Sequence, residues 1–137
     1  MTWVIAIAFV LLGASAANAE PNKDAYELQV RCGKQSADAF AKDYVPVENT
    51  KDGQRTANYE NHFSLRLNKC FFLEISVFIE NGKWSRLLRL FDLNENKEYG
   101  SYWHSDKAPQ FVNCNVQDAR CSSEAEFRTL IKPYMED

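Results

Sequence analysis

Residues 71–92 read FFLEISVFIENGKWSRLLRLFD, and this stretch decides the fold. Phe71, Leu73, Ile75, Val77 and Ile79 alternate with Phe72, Glu74, Ser76, Phe78 and Glu80. Period two in β-branched and aromatic residues predicts a strand with one face on a core. Asn81-Gly82 comes next, the pair favoured in a two-residue type I′ hairpin, where both central residues need positive φ. Pairing about that turn sets Glu80 opposite Lys83 and Glu74 opposite Arg89, two opposite charges on one face. It also sets Ile79 against Trp84, Ile75 against Leu88 and Leu73 against Leu90 on the other. A slip of one residue would scramble both faces, so the charge pairs support the register. Val77 opposite Arg86 and Phe71 opposite Asp92 fit poorly, and are expected at the sheet margin.

A third strand is expected at Glu98 to His104, after a loop from Asn94 to Lys97. That loop length places Tyr102 opposite Arg89 and Trp103 opposite Leu88 on the core face. Upstream, Phe63, Leu65 and Leu67 also alternate. A turn at residues 68–70 would set them against Ile75, Leu73 and Phe71, whereas a two-residue turn would place them on the polar face. The former is preferred. Residues 111–116 add a short strand, and Val47 to Thr56 read as a polar loop around Asp52-Gly53.

Helices are expected at both ends. Between Asp24 and Tyr44, the residues Ala25, Leu28, Cys32, Ala39 and Phe40 share one face, and Pro46 stops the helix because it lacks an N–H. Ser123 and Glu126 have the spacing of a capping box. Phe127, Leu130, Ile131 and Tyr134 then form an apolar stripe, which Pro133 ends or kinks. The predicted fold is α+β: an N-terminal helix, a four- to five-stranded antiparallel meander and a C-terminal helix, with both helices over one face of the sheet.

The first residues predict export. Thr2 to Ala19 carry no charged side chain, residues 3–12 are apolar, and Ala17-Asn18-Ala19 ends the run before Glu20. A small-residue A-x-A ending suits signal peptidase, and an apolar run of about ten residues is half what a bilayer span requires. Residues 1–19 are therefore expected to be a signal peptide and residues 20–137 a single α+β domain. Ser15 offers no thiol for a lipid anchor, so no membrane attachment is expected after cleavage. The expected location is the periplasm or the medium.

Four cysteines, Cys32, Cys70, Cys114 and Cys121, all follow the leader. In an oxidising compartment an even count predicts two disulfides, with three connectivities possible. The short polar stretch between Cys114 and Cys121 can turn back on itself, which favours Cys114–Cys121 and leaves Cys32–Cys70. No C-x-x-C pair suggests a metal or redox site.

Catalytic signals are lacking. The chain has two histidines, His62 and His104, outside any zinc-binding pattern, so no metal site is expected. There is no G-x-S-x-G motif, and the five glycines form no phosphate loop. No cofactor is expected, nor an enzyme. Sixteen basic and nineteen acidic residues give a net charge of −3, scattered rather than blocked, so nucleic acid is not an expected partner.

What remains is a surface. On the predicted register Glu74, Arg89 and Tyr102 form a row across the outer sheet face, with Phe72, Phe78 and Phe91 nearby. Aromatics and an arginine on an open sheet are typical contents of a binding surface. A non-enzymatic module binding another exported protein is the expected function. The alternative is a small-ligand carrier or hydrolase with a site between sheet and helices.

The runs Asn61-His62-Phe63 and Leu67-Asn68-Lys69-Cys70-Phe71 resemble a pattern in a family of small exported proteins of Gram-negative bacteria. The ending Cys121-Ser122-Ser123-Glu124, Glu126-Phe127 and Tyr134-Met135-Glu136 is similar to theirs too. The resemblance implies periplasmic export and a self-contained domain. It implies no activity and carries over no site.

Overall fold

The hairpin about Asn81-Gly82 has the predicted register at every pair, from Glu80 opposite Lys83 to Phe71 opposite Asp92. Both turn residues have positive φ, 51° at Asn81 and 74° at Gly82. The computed structural model describes residues 23–136. The expected signal peptide, residues 1–19, lies outside the described residues.

The elements run α1 (Lys23–Asp43), β1 (Val47–Thr50), β2 (Gly53–Ser64), β3 (Lys69–Glu80), β4 (Lys83–Asp92), β5 (Lys97–Ser105), β6 (Val112–Val116), β7 (Ala119–Arg120) and α2 (Glu124–Met135). The fold is α+β, and the seven strands form one antiparallel sheet in chain order. Four or five strands were expected from the sequence. The additional ones are β1 and β7, and β2 begins earlier than expected, since residues 47–56 form a hairpin around Lys51-Asp52. Gly53 begins β2 because a Cβ there would sit 1.7 Å from the Ile79 carbonyl oxygen.

Turn chemistry explains the meander. Asn68, Asn81, Asn96 and Gln117 are all in the left-handed region. Each lies between consecutive strands, and asparagine tolerates that conformation better than most residues.

The helices pack on opposite faces of the sheet, not on one as predicted. Antiparallel pairing puts Phe71, Leu73, Leu88, Leu90, Tyr102, Cys114 and Val116 on one face, where Phe127 and Ile131 of α2 complete the main core. The other face presents Cys70 and Phe72 of β3 with Tyr59 and Phe63 of β2, and α1 covers these. Phe40 of α1 and Tyr44 just beyond its end pack at a tilt on Tyr59 and Phe72, with ring centroids 4.8 and 6.0 Å apart. A strand covered on both sides must be apolar on both sides. That is why β3 carries Phe72 and Phe78 at the positions that alternate with its core residues.

Two misfits of the hairpin have structural answers, neither at a free margin. Phe71 and Asp92 are both fully buried. Asp92 is hydrogen-bonded by Lys69 and accepts the N–H groups of Asn94 and Glu95 at the mouth of the β4–β5 turn. Lys69, held first by Asp92 and then by Glu95, keeps its ammonium well above the usual lysine range. Arg86 reaches Glu124 at the start of α2.

Both favoured disulfides are present. Cys32–Cys70 joins α1 to β3, and Cys114–Cys121 closes the β6–β7 hairpin just before α2, with Cα atoms 5.3 and 5.0 Å apart. Ser123 caps α2 as its spacing predicted, accepting the Glu126 N–H at 3.2 Å. Glu126 reaches back to the Ser122 N–H and hydroxyl, and these bonds hold its carboxyl below the ordinary range. Pro133 lies inside the helix, which continues to Met135.

Candidate functional site

Helix α1 packs on β2 and β3, and among the described residues no helix packs on the β4–β5 part of the same face. Cross-strand pairing arranges this part in rows. Leu87 lies beside Trp103 and Asn113, and Arg89 beside Ser101 and Asn115. Phe91 follows Arg89 on the same face. Leu87, Arg89, Phe91 and Trp103 are all half-buried. The Arg89 guanidinium lies 5.1 Å from the centre of the Phe91 ring, and Arg55 is the same distance from that of Phe78.

The predicted site residues are divided by this geometry. Phe72 and Glu74 belong to the face but are buried, 2% and 0% exposed, beneath the end of α1. Phe78 is half-buried at the hairpin end, and Arg89 stands at the border between covered and open halves. Tyr102 is on the opposite face, opposite Leu88 rather than Arg89, and packs in the core against Phe127. The expected row of Glu74, Arg89 and Tyr102 does not form. Two shifts cause this. The β4–β5 turn lies one residue earlier than expected and pairs Asp92 with Lys97. A bulge follows it, since Phe91 pairs with Glu98 but Leu90 with Gly100, which makes Tyr99 an extra residue. One extra residue exchanges the faces of everything beyond it. Trp103 takes the outward position that had been assigned to Tyr102.

Glu74 is the centre of a buried polar cluster. Its Oε2 accepts from Arg89 Nε at 2.6 Å and Nη2 at 2.5 Å, and from the Tyr44 hydroxyl at 3.1 Å. Its Oε1 accepts from the Ser76 hydroxyl at 2.7 Å. Both carboxylate oxygens are thus engaged, and the Tyr44 bond to Oε2 ties the end of α1 to the sheet. Burial, and then the neighbouring Glu74 charge, push the Tyr44 phenol up to about 12, with Arg89 opposing.

A folded-state pKa above the unfolded value means that the native state holds the proton more tightly. The stabilisation is complete below the unfolded tyrosine value near 10 and is lost as pH rises from there through about 12. A spectrophotometric titration of tyrosinate should therefore show a late ionisation step near pH 12 that Tyr44→Phe removes. An unchanged titration curve in that variant would refute the assignment.

No cluster of three or more His, Cys, Asp or Glu side chains suited to a metal occurs among the described residues. His104 packs edge-on against Trp84 at the hairpin end of the α2 face, where Ile79 and Trp84 are exposed. No helix among the described residues is long and apolar enough to cross a membrane.

No protein-family model, curated protein or solved structure matches the chain. Its chemistry must be read from its own surface. Two depressions are relevant. One, about 380 Å³, lies between β7 and α2 and is lined by Cys121, Ala125 and Leu130 among others. A smaller, more polar cleft of about 230 Å³ lies between α1 and the turns that follow β2 and β4, beside the Cys32–Cys70 disulfide. Sequence reasoning missed this cleft because Arg31, Asn68 and Asn94 come from three separate segments.

Proposed function

We propose that the protein is an exported, non-enzymatic module that binds another exported protein through the open β4–β5 half of the sheet face. The observation that carries this reading is the partial cover by α1. It leaves a half-buried Trp103 with Leu87, Phe91 and Arg89 on a rigid sheet. Tryptophan and arginine dominate the energetics of many protein interfaces, and a sheet holds them in place at little entropic cost on binding. Two disulfides and a predicted leader favour action in the periplasm or outside the cell.

The test is a pull-down from a periplasmic extract with the mature, oxidised protein as bait. A specific band held by the wild type should disappear with Leu87→Asp/Trp103→Ala. It should persist with Trp84→Ala, which alters the exposed end of the opposite face. A band retained by the double variant, with its circular dichroism unchanged, would remove this face as the partner site.

A second reading, a small-ligand carrier, is favoured by one observation. The polar cleft of about 230 Å³ lies between α1 and the sheet.

A further inference from the structure

We propose that the cleft beside the Cys32–Cys70 disulfide binds a carboxylate carried on a small apolar body. The inference gives the carrier reading its ligand class and is independent of the β4–β5 face. The cleft is lined by unspent hydrogen-bonding groups. Arg31 projects from α1 into the cleft wall and makes no ion pair with any described residue. Asn94 spends its Oδ1 on the Cys70 N–H at 2.7 Å, which leaves its amide N–H groups as donors. Asn68 sits in the β2–β3 turn with φ of 53° and brings a second amide to the rim.

Acidic side chains are missing from the lining. Asp92 and Glu95 in the neighbouring β4–β5 turn both pair with Lys69, and Glu27, one helical turn from Arg31 on α1, pairs with Lys23 at 3.9 Å. An arginine flanked by amide donors, without a competing carboxylate, is complementary to an anion, and the planar guanidinium matches a carboxylate in particular. Gln35 donates its amide to the Leu93 carbonyl at 3.2 Å, so its Oε1 remains an acceptor for an N–H next to that carboxylate.

The floor fixes the rest of the ligand. Leu28, Phe63 and the disulfide form an apolar base in contact with one another. The volume of about 230 Å³ corresponds to roughly eight waters at bulk density, enough for an acylated amino acid but not for a dinucleotide-sized cofactor. An apolar residue with a free carboxylate and an acylated nitrogen satisfies every group named. It could be a free acyl amino acid or the last residue of a peptide.

The experiment is an NMR titration of the ¹⁵N-labelled, oxidised protein with N-acetyl-leucine, its primary amide and a short peptide ending in leucine. N-acetyl-leucine should shift the side-chain amides of Asn68, Asn94 and Gln35 saturably, and the uncharged amide should not. Arg31→Gln should weaken binding by about tenfold or more, the scale of one lost charge-assisted contact. The melting temperature should not change, since Arg31 is exposed. Tighter binding of the peptide assigns the ligand to a partner's C-terminus, and tighter binding of the free acid assigns it to a small molecule. The absence of a saturable shift with either acid, an equal response to the amide, or an Arg31→Gln variant that binds unchanged would overturn the proposal. Binding at Trp103 would be unaffected by any of these results, so the two surfaces can fail separately.

Discussion

Replacing Arg89 with methionine is expected to destabilise the fold by about 3 kcal/mol, the lower end of the range for removing one partner of a buried ion pair. Glu74 is fully buried, and Arg89 supplies the only positive charge bonded to it among the described residues. Without the guanidinium the carboxylate keeps only the Tyr44 and Ser76 hydroxyls, two neutral donors for a desolvated charge. The lower end applies because Arg89 is itself about one-third exposed, at 35%, and water screens part of the attraction. Urea unfolding of the oxidised protein measures the loss. Adding Glu74→Gln to the same chain should recover more than half of it, because the neutral amide can accept from one of the two hydroxyls with its oxygen and donate to the other with its N–H. If Arg89→Met alone cost under about 1 kcal/mol, Glu74 would have to be solvated or protonated, and the account of how α1 is held would fail.

The central hairpin was legible because three independent signals coincide in 71–92: strict alternation, an Asn-Gly turn and two cross-strand charge pairs. The capped second helix and the two disulfides were legible for similar reasons, since short-range spacing constrains both. Two kinds of feature were not. Tyr99 occupies a bulge, and nothing in its neighbourhood marks it except Gly100, where a Cβ would come within 2.7 Å of the Asn115 carbonyl oxygen. That single residue moved Tyr102 into the core and Trp103 out of it. Phe63 was placed one face away for a related reason. The β2–β3 turn contains four residues, 65–68, which pairs Phe63 with Cys70 and points it at α1.

The sidedness of the helices was present in the sequence but outweighed. Phe72 and Phe78 alternate with the core residues of β3, and a strand with large apolar groups on both faces signals cover on both sides. Glu74 and Arg89 drew the opposite reading, because an ion pair on a sheet is normally a solvated one. Here the pair is folded under Tyr44. What the sequence could not reveal was how far α1 extends across that face, and this alone separates the buried Phe72 from the half-exposed Trp103.

The second large effect concerns the bond that fixes where α1 lies. Cys32→Ser/Cys70→Ser should lower stability by about 4 kcal/mol, against roughly 2.5 kcal/mol for Cys114→Ser/Cys121→Ser. The difference follows from loop length. The first disulfide closes a separation of 38 residues and the second one of 7, and the longer loop takes more conformations away from the unfolded chain. Both sulfur pairs are buried or nearly so, and serine is close in size, so little packing is lost in either variant. The crosslink also spans different objects. Cys114–Cys121 reinforces a hairpin already held by the Cys121 N–H to the Cys114 carbonyl at 3.1 Å. Cys32–Cys70 joins a helix to a strand, where the Gln29 side chain accepting from the Phe63 N–H is among the few other direct links. Urea midpoints of the two double variants decide the matter, and the first should also show a steeper m-value, because its unfolded chain expands further. A larger loss in the Cys114/Cys121 variant would mean that strain or native contacts, rather than chain entropy, set the contribution of these bonds.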